Sequence, residues 1–318
     1  MIERKISEDG AGQRLDKYVR KVLKDVPLGH IYKMFRTKKV RVNGARGKPE
    51  QLLAEGDVVV IRGDQEQLLA ARPESEKRPQ RAKEPLQILY EDEYLMAVDK
   101  PPGMAVHPGS GIEGGTLVDE VRAMLGPRAV HNDFAPSPAH RLDRDTSGVI
   151  LVAKRRRAMV RLTEIFTEGS ARKTYLALAK GSFSQAKGTI DLPLSEHEQT
   201  ARSKSERGVN MQPAVTHYRV LAKGPGVSLL ECHIETGRTH QIRRHLVAMG
   251  HPVAGDRRHG DFPYNRELKA KFGLKRMFLH ARRMVVAHPI TGETMTFEAP
   301  LPKELTDALG RMGIEVPK

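Results

Sequence analysis

HRLDRDTSGVILVA, His140 to Ala153, runs from a segment carrying four charges and a histidine straight into an apolar run. The run VILVA reads as a strand. Ahead of it, Asp145, Thr146, Ser147 and Gly148 are all good turn or cap residues, and turn chemistry accounts for them. It does not call for an arginine on either side of Asp143. Arg141 and Arg144 carry the opposite charge that would hold a carboxylate ionised, and an ionised carboxylate serves as nucleophile or base. Spacing alone does not choose between Asp143 and Asp145.

Outward from that stretch, residues 86 to 318 read as α+β with strands dominating. GVILVAKR and KTYLALAKG are strand-like, and RAMVRLTEIFTEG between them places Met159, Leu162, Ile165 and Phe166 on one helical face before stopping at Gly169. VTHYRVLAK and VSLLECHIE flank Gly224-Pro225-Gly226 as a hairpin. HQIRRHLVAMG reads as a helix ending at Gly250 with Ile242, Leu246 and Met249 inward. RMFLHARRMVVAHP and TMTFEAP read as closing strands. No internal repeat is found.

Toward the N-terminus, RPESEKRPQRAKEP supplies three prolines, many charges and no apolar periodicity, which marks a linker over 71–85. Before it, residues 1–70 form a compact basic unit. Leu15, Tyr18, Val19, Val22 and Leu23 make one helical stripe, opposite Lys17, Arg20, Lys21 and Lys24. A second helix carries Ile31, Met34 and Phe35, with Pro27 near its start. VRVNG and DVVVIR follow as short strands, with Asn43-Gly44 as the turn.

The chain of 318 residues holds 54 Lys and Arg against 39 Asp and Glu, a net charge of +15. A balance that basic points to a polyanion, because each cation near a phosphate releases counterions. A basic membrane-surface protein is the competing class. No apolar run approaches the ~18 residues needed to cross a bilayer, and no signal-like segment is seen near Met1. Cys232 is the only cysteine, which excludes an internal disulfide and a cysteine zinc cage, reads as a small strand residue, and suits a reducing cytoplasm.

Two resemblances sharpen this reading. Arg14-Leu15-Asp16 and Lys39-Val40-Arg41-Val42-Asn43-Gly44 carry a pattern similar to the S4 RNA-binding domain. That likeness implies binding to structured RNA, with Arg36, Lys38, Lys39 and Arg41 placed to meet phosphates. HRLDRDTSG resembles the signature of the RluA-type pseudouridine synthases, in which the aspartate after H-R-L is catalytic. The resemblance therefore implies Asp143, leaving Asp145 its turn role.

Other segments agree in order. LMAVDKPPGMAVHPGSG resembles the family's N-terminal strand and loop. ARKTYLALAKG matches its K-x-Y-x-A motif, which makes Tyr175 the tyrosine that packs on the target base. TGRTHQIRRHL resembles a third motif, whose arginine, here Arg243, pairs with the aspartate. GHPVAGD, LHARRMVVAHP and FEAPLP extend the likeness almost to the C-terminus. The flanking Arg141, Arg144, Lys173, Arg238 and His240 are expected to hold RNA beside the base.

No metal is expected, since His240 and His245 stand five apart and cannot share one helix face. No cofactor is expected either. GSGIEGG, Gly109 to Gly115, lacks the phosphate-loop pattern and reads as a loop beside the cleft.

The implied fold is a small S4-like domain, the linker, and a catalytic domain over 86–318 built on a largely antiparallel mixed sheet flanked by helices. The implied reaction breaks the N1–C1′ bond of uridine, turns the base and joins C5 to C1′. The aspartate captures C1′, adds at C6 or assists sugar deprotonation, and the residues do not choose among these. Tyr175 would hold the ring by its face and is also a candidate for helping to remove the C5 proton. The uridine must be flipped from its stack. The resemblance points to large-subunit ribosomal RNA, met during particle assembly, and to a monomer. A catalytically silent RNA-binding or assembly protein, and a synthase acting on tRNA, are the alternatives.

Overall fold

The computed structural model describes residues 1–23, 26–63, 85–109, 114–126, 134–195 and 210–316. The linker read over 71–85 lies outside these residues except for its last, and residues 110–113 of the GSGIEGG loop lie outside them as well.

The N-terminal unit contains β1 (Ile2–Lys5), a 3₁₀ turn at Glu8–Gly10, α1 (Leu15–Val22), α2 (Leu28–Arg36), β2 (Val40–Val42), β3 (Ala45–Arg46) and β4 (Val58–Ile61). Its four strands form an antiparallel sheet in the order β1-β4-β2-β3. Leu15, Tyr18 and Val19 from α1 and Ile31, Met34 and Phe35 from α2 are buried against Val40, Val59 and Ile61. The helical spacing of the apolar residues is thus the core contact. Asn43 and Gly44 both take positive φ, 49° and 79°, the paired left-handed geometry of a two-residue hairpin turn.

The larger unit continues with β5 (Gln87–Glu91), β6 (Leu95–Lys100), α3 (Leu117–Leu125), β7 (Ser137–Pro138), β8 (Ser147–Ala153), α4 (Arg156–Thr167), β9 (Arg172–Lys180) and β10 (Lys187–Asp191). β11 (Leu194–Ser195), β12 (Met211–Gln212), β13 (Val215–Gly224), β14 (Val227–Ile234) and α5 (Gln241–Ala248) follow. α6 (Phe262–Phe272), β15 (Leu279–Ala287), β16 (Thr294–Glu298) and α7 (Lys303–Arg311) complete it.

Among the described residues a ten-stranded sheet runs β10-β13-β14-β9-β15-β8-β6-β5, with β16 paired to β15 and β7 to β8. Every pairing is antiparallel except β8 with β15. The fold is therefore α+β on a largely antiparallel mixed sheet, as expected.

The VILVA run is its buried middle: all seven residues of β8 are buried. Alternation sends Val149, Leu151 and Ala153 against Ala158, Leu162 and Ile165 of α4, while Ile150 and Val152 pack on the other side with Leu142, Tyr175 and Ile242. Met159 and Phe166 are partly buried against the α4 face, and the helix stops ahead of Gly169 at φ 72°.

The expected inward face of α5 is corrected at one position. Ile242 and Leu246 are buried, but Met249 caps the helix and is 38% exposed. Arg243 and His245 are the buried neighbours instead.

The two units touch. Asp9, 7% exposed, accepts the backbone N–H of Arg156 at 2.9 Å, and Arg157 pairs with Glu8 at 2.6 Å. Arg155, the N-cap of α4, makes no side-chain cap of its own, so the N-terminal unit supplies the missing acceptor.

Candidate active site

Asp143 stands on the loop just before β8. Its carbonyl accepts from Thr146 N at 3.1 Å, closing a turn with Arg144 and Asp145 in the middle. Two further segments pin that turn. Arg144 O accepts from Gly103 N at 2.8 Å and from Lys100 Nζ at 3.1 Å. Lys100 is fully buried, and its ammonium also donates to the carbonyls of Pro101 and Met104 at 2.8 and 3.0 Å. Burial, followed by the charge of Arg276, lowers its pKa to about 7.

Gly148 ends the signature for a steric reason. At φ 115° a Cβ would lie 2.2 Å from Ala281 O of β15, so the parallel join of β8 to β15 admits only glycine there.

The carboxylate of Asp143 receives Arg243 Nη1 at 3.0 Å on Oδ2. This partner arrives from α5, one hundred residues away. The sequence-adjacent arginines do not serve that purpose: Arg144 Nε donates to Gly103 O at 3.0 Å, and both Arg144 and Arg141 are exposed. Arg243 is itself gripped from behind by Asp256, through Nε to Oδ2 at 2.7 Å and Nη2 to Oδ1 at 2.9 Å. Asp256 is 1% exposed. Burial raises its pKa, but the Arg243 hydrogen bonds and charge outweigh that and hold it below the usual carboxylate range. Arg243 responds in kind: burial works against its charge, and Asp256 then Asp143 raise its pKa.

Above this pair lies a cavity of about 380 Å³. Asp143, Tyr175 and Arg243 all line it, together with Arg141, Lys173, Arg238 and His240. Tyr175 is carried on β9 and is 7% exposed. Burial, then the charge of Asp143, pushes its phenol well above its ordinary value. A phenol so disposed stays protonated at neutral pH, which fits a stacking face better than a base.

Burial lowers the Lys173 ammonium, which sits 5.1 Å over the Phe166 ring. Arg238 Nε donates to Pro213 O at 3.1 Å. His140 accepts Leu151 N on Nε2 at 3.0 Å, and burial lowers its pKa to about 3, so it is a neutral support. Arg36, Lys38 and Lys39 lie exposed at the end of α2, and Arg41 on β2 reaches Gly44 O at 3.1 Å. None of these four lines the cavity.

Asp256, Lys100 and His259 escaped the sequence reading. Asp256 closes the GHPVAGD segment and Lys100 lies within LMAVDKPPGMAVHPGSG, both stretches that resemble the family, but the sequence reading gives neither residue a role. Among the described residues no cluster of three or more histidine, cysteine or acidic side chains is arranged to hold a metal. No helix among them is long and apolar enough to cross a membrane.

Relatives share nearly the whole length. The ribosomal large subunit pseudouridine synthase C of Salmonella typhi is 41% identical over 313 residues, covering 96% of this chain and 94% of its own. The chain belongs to the RNA pseudouridylate synthase family. The model of that family matches residues 94–248, a span that includes Asp143, Tyr175 and Arg243. The synthase C of Escherichia coli strain K12 is 40% identical over 316 residues, covering 96% of this chain and 95% of that one. Human RNA Pseudouridylate Synthase Domain Containing 4 superposes with a TM-score of 0.59 at 28% identity, over 73% of this chain and 95% of its own. The cavity within that matched span is lined by a carboxylate, a guanidinium and an aromatic ring, those of Asp143, Arg243 and Tyr175.

Proposed function

We propose that this chain isomerises particular uridines of large-subunit ribosomal RNA to pseudouridine, with Asp143 as the reacting carboxylate. The observation that carries this is the Asp143–Arg243 pair at 3.0 Å in a cavity walled by Tyr175. The names of the full-length relatives support the substrate class.

Arg243 sets its guanidinium charge against the Asp143 carboxylate and fixes where that carboxylate points. Tyr175 holds the flipped uracil by its face. Lys173, Arg141, Arg238 and His240 hold the nucleotide around it, and Arg144 meets RNA outside the cavity. No cofactor takes part in this reading.

Residues 1–70 act as an S4-like RNA-binding domain, joined by the linker 71–85 to the catalytic domain 86–318. Their basic residues Arg36, Lys38, Lys39 and Arg41 take phosphates. We place the enzyme in the cytoplasm as a monomer acting on the assembling particle. The net charge of +15 supports an RNA partner.

The test is to incubate the protein with unmodified large-subunit rRNA, and separately with tRNA transcripts, and to map pseudouridine by carbodiimide-stop reverse transcription. Discrete new stops in the rRNA alone are expected. Stops confined to tRNA would reassign the substrate, and none in either would favour a silent RNA-binding protein.

A further inference from the structure

Arg243 takes Oδ2 of Asp143, so Oδ1 is the oxygen turned to other partners. His240 Nε2 lies 3.9 Å from Oδ1, and His240 Nδ1 is 3.0 Å from Nε2 of His259. His240 caps α5 in left-handed backbone, φ 54°, and its side chain is 14% exposed. The backbone N–H of His259 donates to Asp256 Oδ1 at 3.1 Å, which ties this second ring to the carboxylate that also grips Arg243. His259 is not among the residues lining the cavity.

We propose that His259 is a positioning residue that acts through His240: by donating to Nδ1 it fixes His240 in the Nε2–H tautomer, which sets an N–H rather than a lone pair 3.9 Å from Oδ1 of Asp143. One hydrogen lies between the two rings, so two arrangements exist. If His240 donated it, its Nε2 lone pair would face an anionic oxygen. With His259 as donor, an N–H faces that oxygen, and the Coulomb interaction favours this arrangement. Both rings are neutral near pH 7. Burial, then the Arg243 charge, lowers His259 to about 4, and burial outweighs the pull of Asp143 in lowering His240.

A second-ring partner that sets a tautomer is a familiar physical device. Here it means that when the electron pair of a bond made by Oδ1 returns to that oxygen, an N–H already stands 3.9 Å away. This inference rests on Asp143 being the reacting carboxylate.

Nitrogen-15 histidine spectra of the full-length protein read the tautomer directly, with His240→Gln identifying the resonance. The Nε2–H form is expected. Single-turnover release of tritium from C5-labelled RNA should then fall about tenfold in His259→Phe, the upper end of what a hydrogen bond between neutral groups contributes, with RNA affinity held. His259→Gln, whose amide N–H can donate to Nδ1, should restore the rate to within about threefold. An Nδ1–H tautomer in the wild-type protein, a wild-type rate in His259→Phe, or an equal fall in His259→Gln would each overturn the proposal. Tritium release by Asp143→Ala at the wild-type rate would instead remove the reading beneath it, a result distinct from those three.

Discussion

Asp143 owes its aim to side chains that its own segment does not contain. Asp256 is the most consequential of these, because it supplies two of the three hydrogen bonds on Arg243 described above. Asp256→Asn leaves a buried guanidinium short of a countercharge. Removing one partner of a buried ion pair costs about 3 kcal/mol or more, and urea melts should register that loss. Misplacing the arginine should slow tritium release about a hundredfold, while RNA affinity stays near wild type because the RNA-facing cations are untouched. Equal losses in affinity and turnover would show that Asp256 supports binding rather than the reacting pair.

The junction of β8 with β15 is the element that aims the Asp143 loop. Arg276 Nη2 donates to Ser147 Oγ at 2.8 Å, Ser147 Oγ lies 2.9 Å from His280 Nδ1, and His280 Nε2 lies 3.2 Å from Ala299 O. With Arg276 donating, the serine hydroxyl gives its hydrogen to Nδ1 and the imidazole gives its own to the carbonyl. The ring is satisfied only when neutral, and burial lowers its pKa to about 4. In the unfolded chain it titrates near 6.5, so the unfolded state takes up the proton first as pH falls. Stability is fully present above about pH 6.5 and declines by about 1.4 kcal/mol per pH unit toward 4. His140, lowered to about 3, acts with the same sign. Denaturant melts should therefore lose about 2 kcal/mol per buried histidine between pH 7 and 5, and His280→Gln should show a shallower decline.

Much of this architecture was legible in the sequence. Period-two and period-3.6 apolar patterns marked β8, α4 and both N-terminal helices, since those faces are the ones buried. Three helices were not read. α6 buries only Leu268, so its stripe is faint, although the Asp261 cap and Gly273 stop were present. α3 was announced by the Thr116–Asp119 capping box, and α7 by Leu305, Ala308 and Leu309. In the site, local spacing left Asp143 and Asp145 equal. What separates them is Arg243, held by Asp256 and brought to Asp143 by long-range packing that a local pattern does not encode.

At the scale of the molecule, the contact between Asp9 and the start of α4 joins the N-terminal unit to a helix that walls the cavity. The same helix that receives this cap presents Thr163, Phe166 and Thr167 to the cavity. The N-terminal unit is thus attached to a wall of the site. Asp9→Ala should lower stability by about 1 kcal/mol, the worth of a helix cap. Deleting residues 1–70 should weaken RNA binding far more than it slows turnover of bound RNA. Comparable losses in both would contradict this division of labour.

With Asp143 as the carboxylate that rearranges the uridine, C5 must lose its hydrogen when the new bond to C1′ is complete. The most direct measurement is tritium release from C5-labelled large-subunit rRNA by the intact protein and by Asp143→Ala, both shown to be folded. Release by the first and none by the second is the predicted result. Equal release by both, or none by the intact protein on unmodified rRNA, would contradict it.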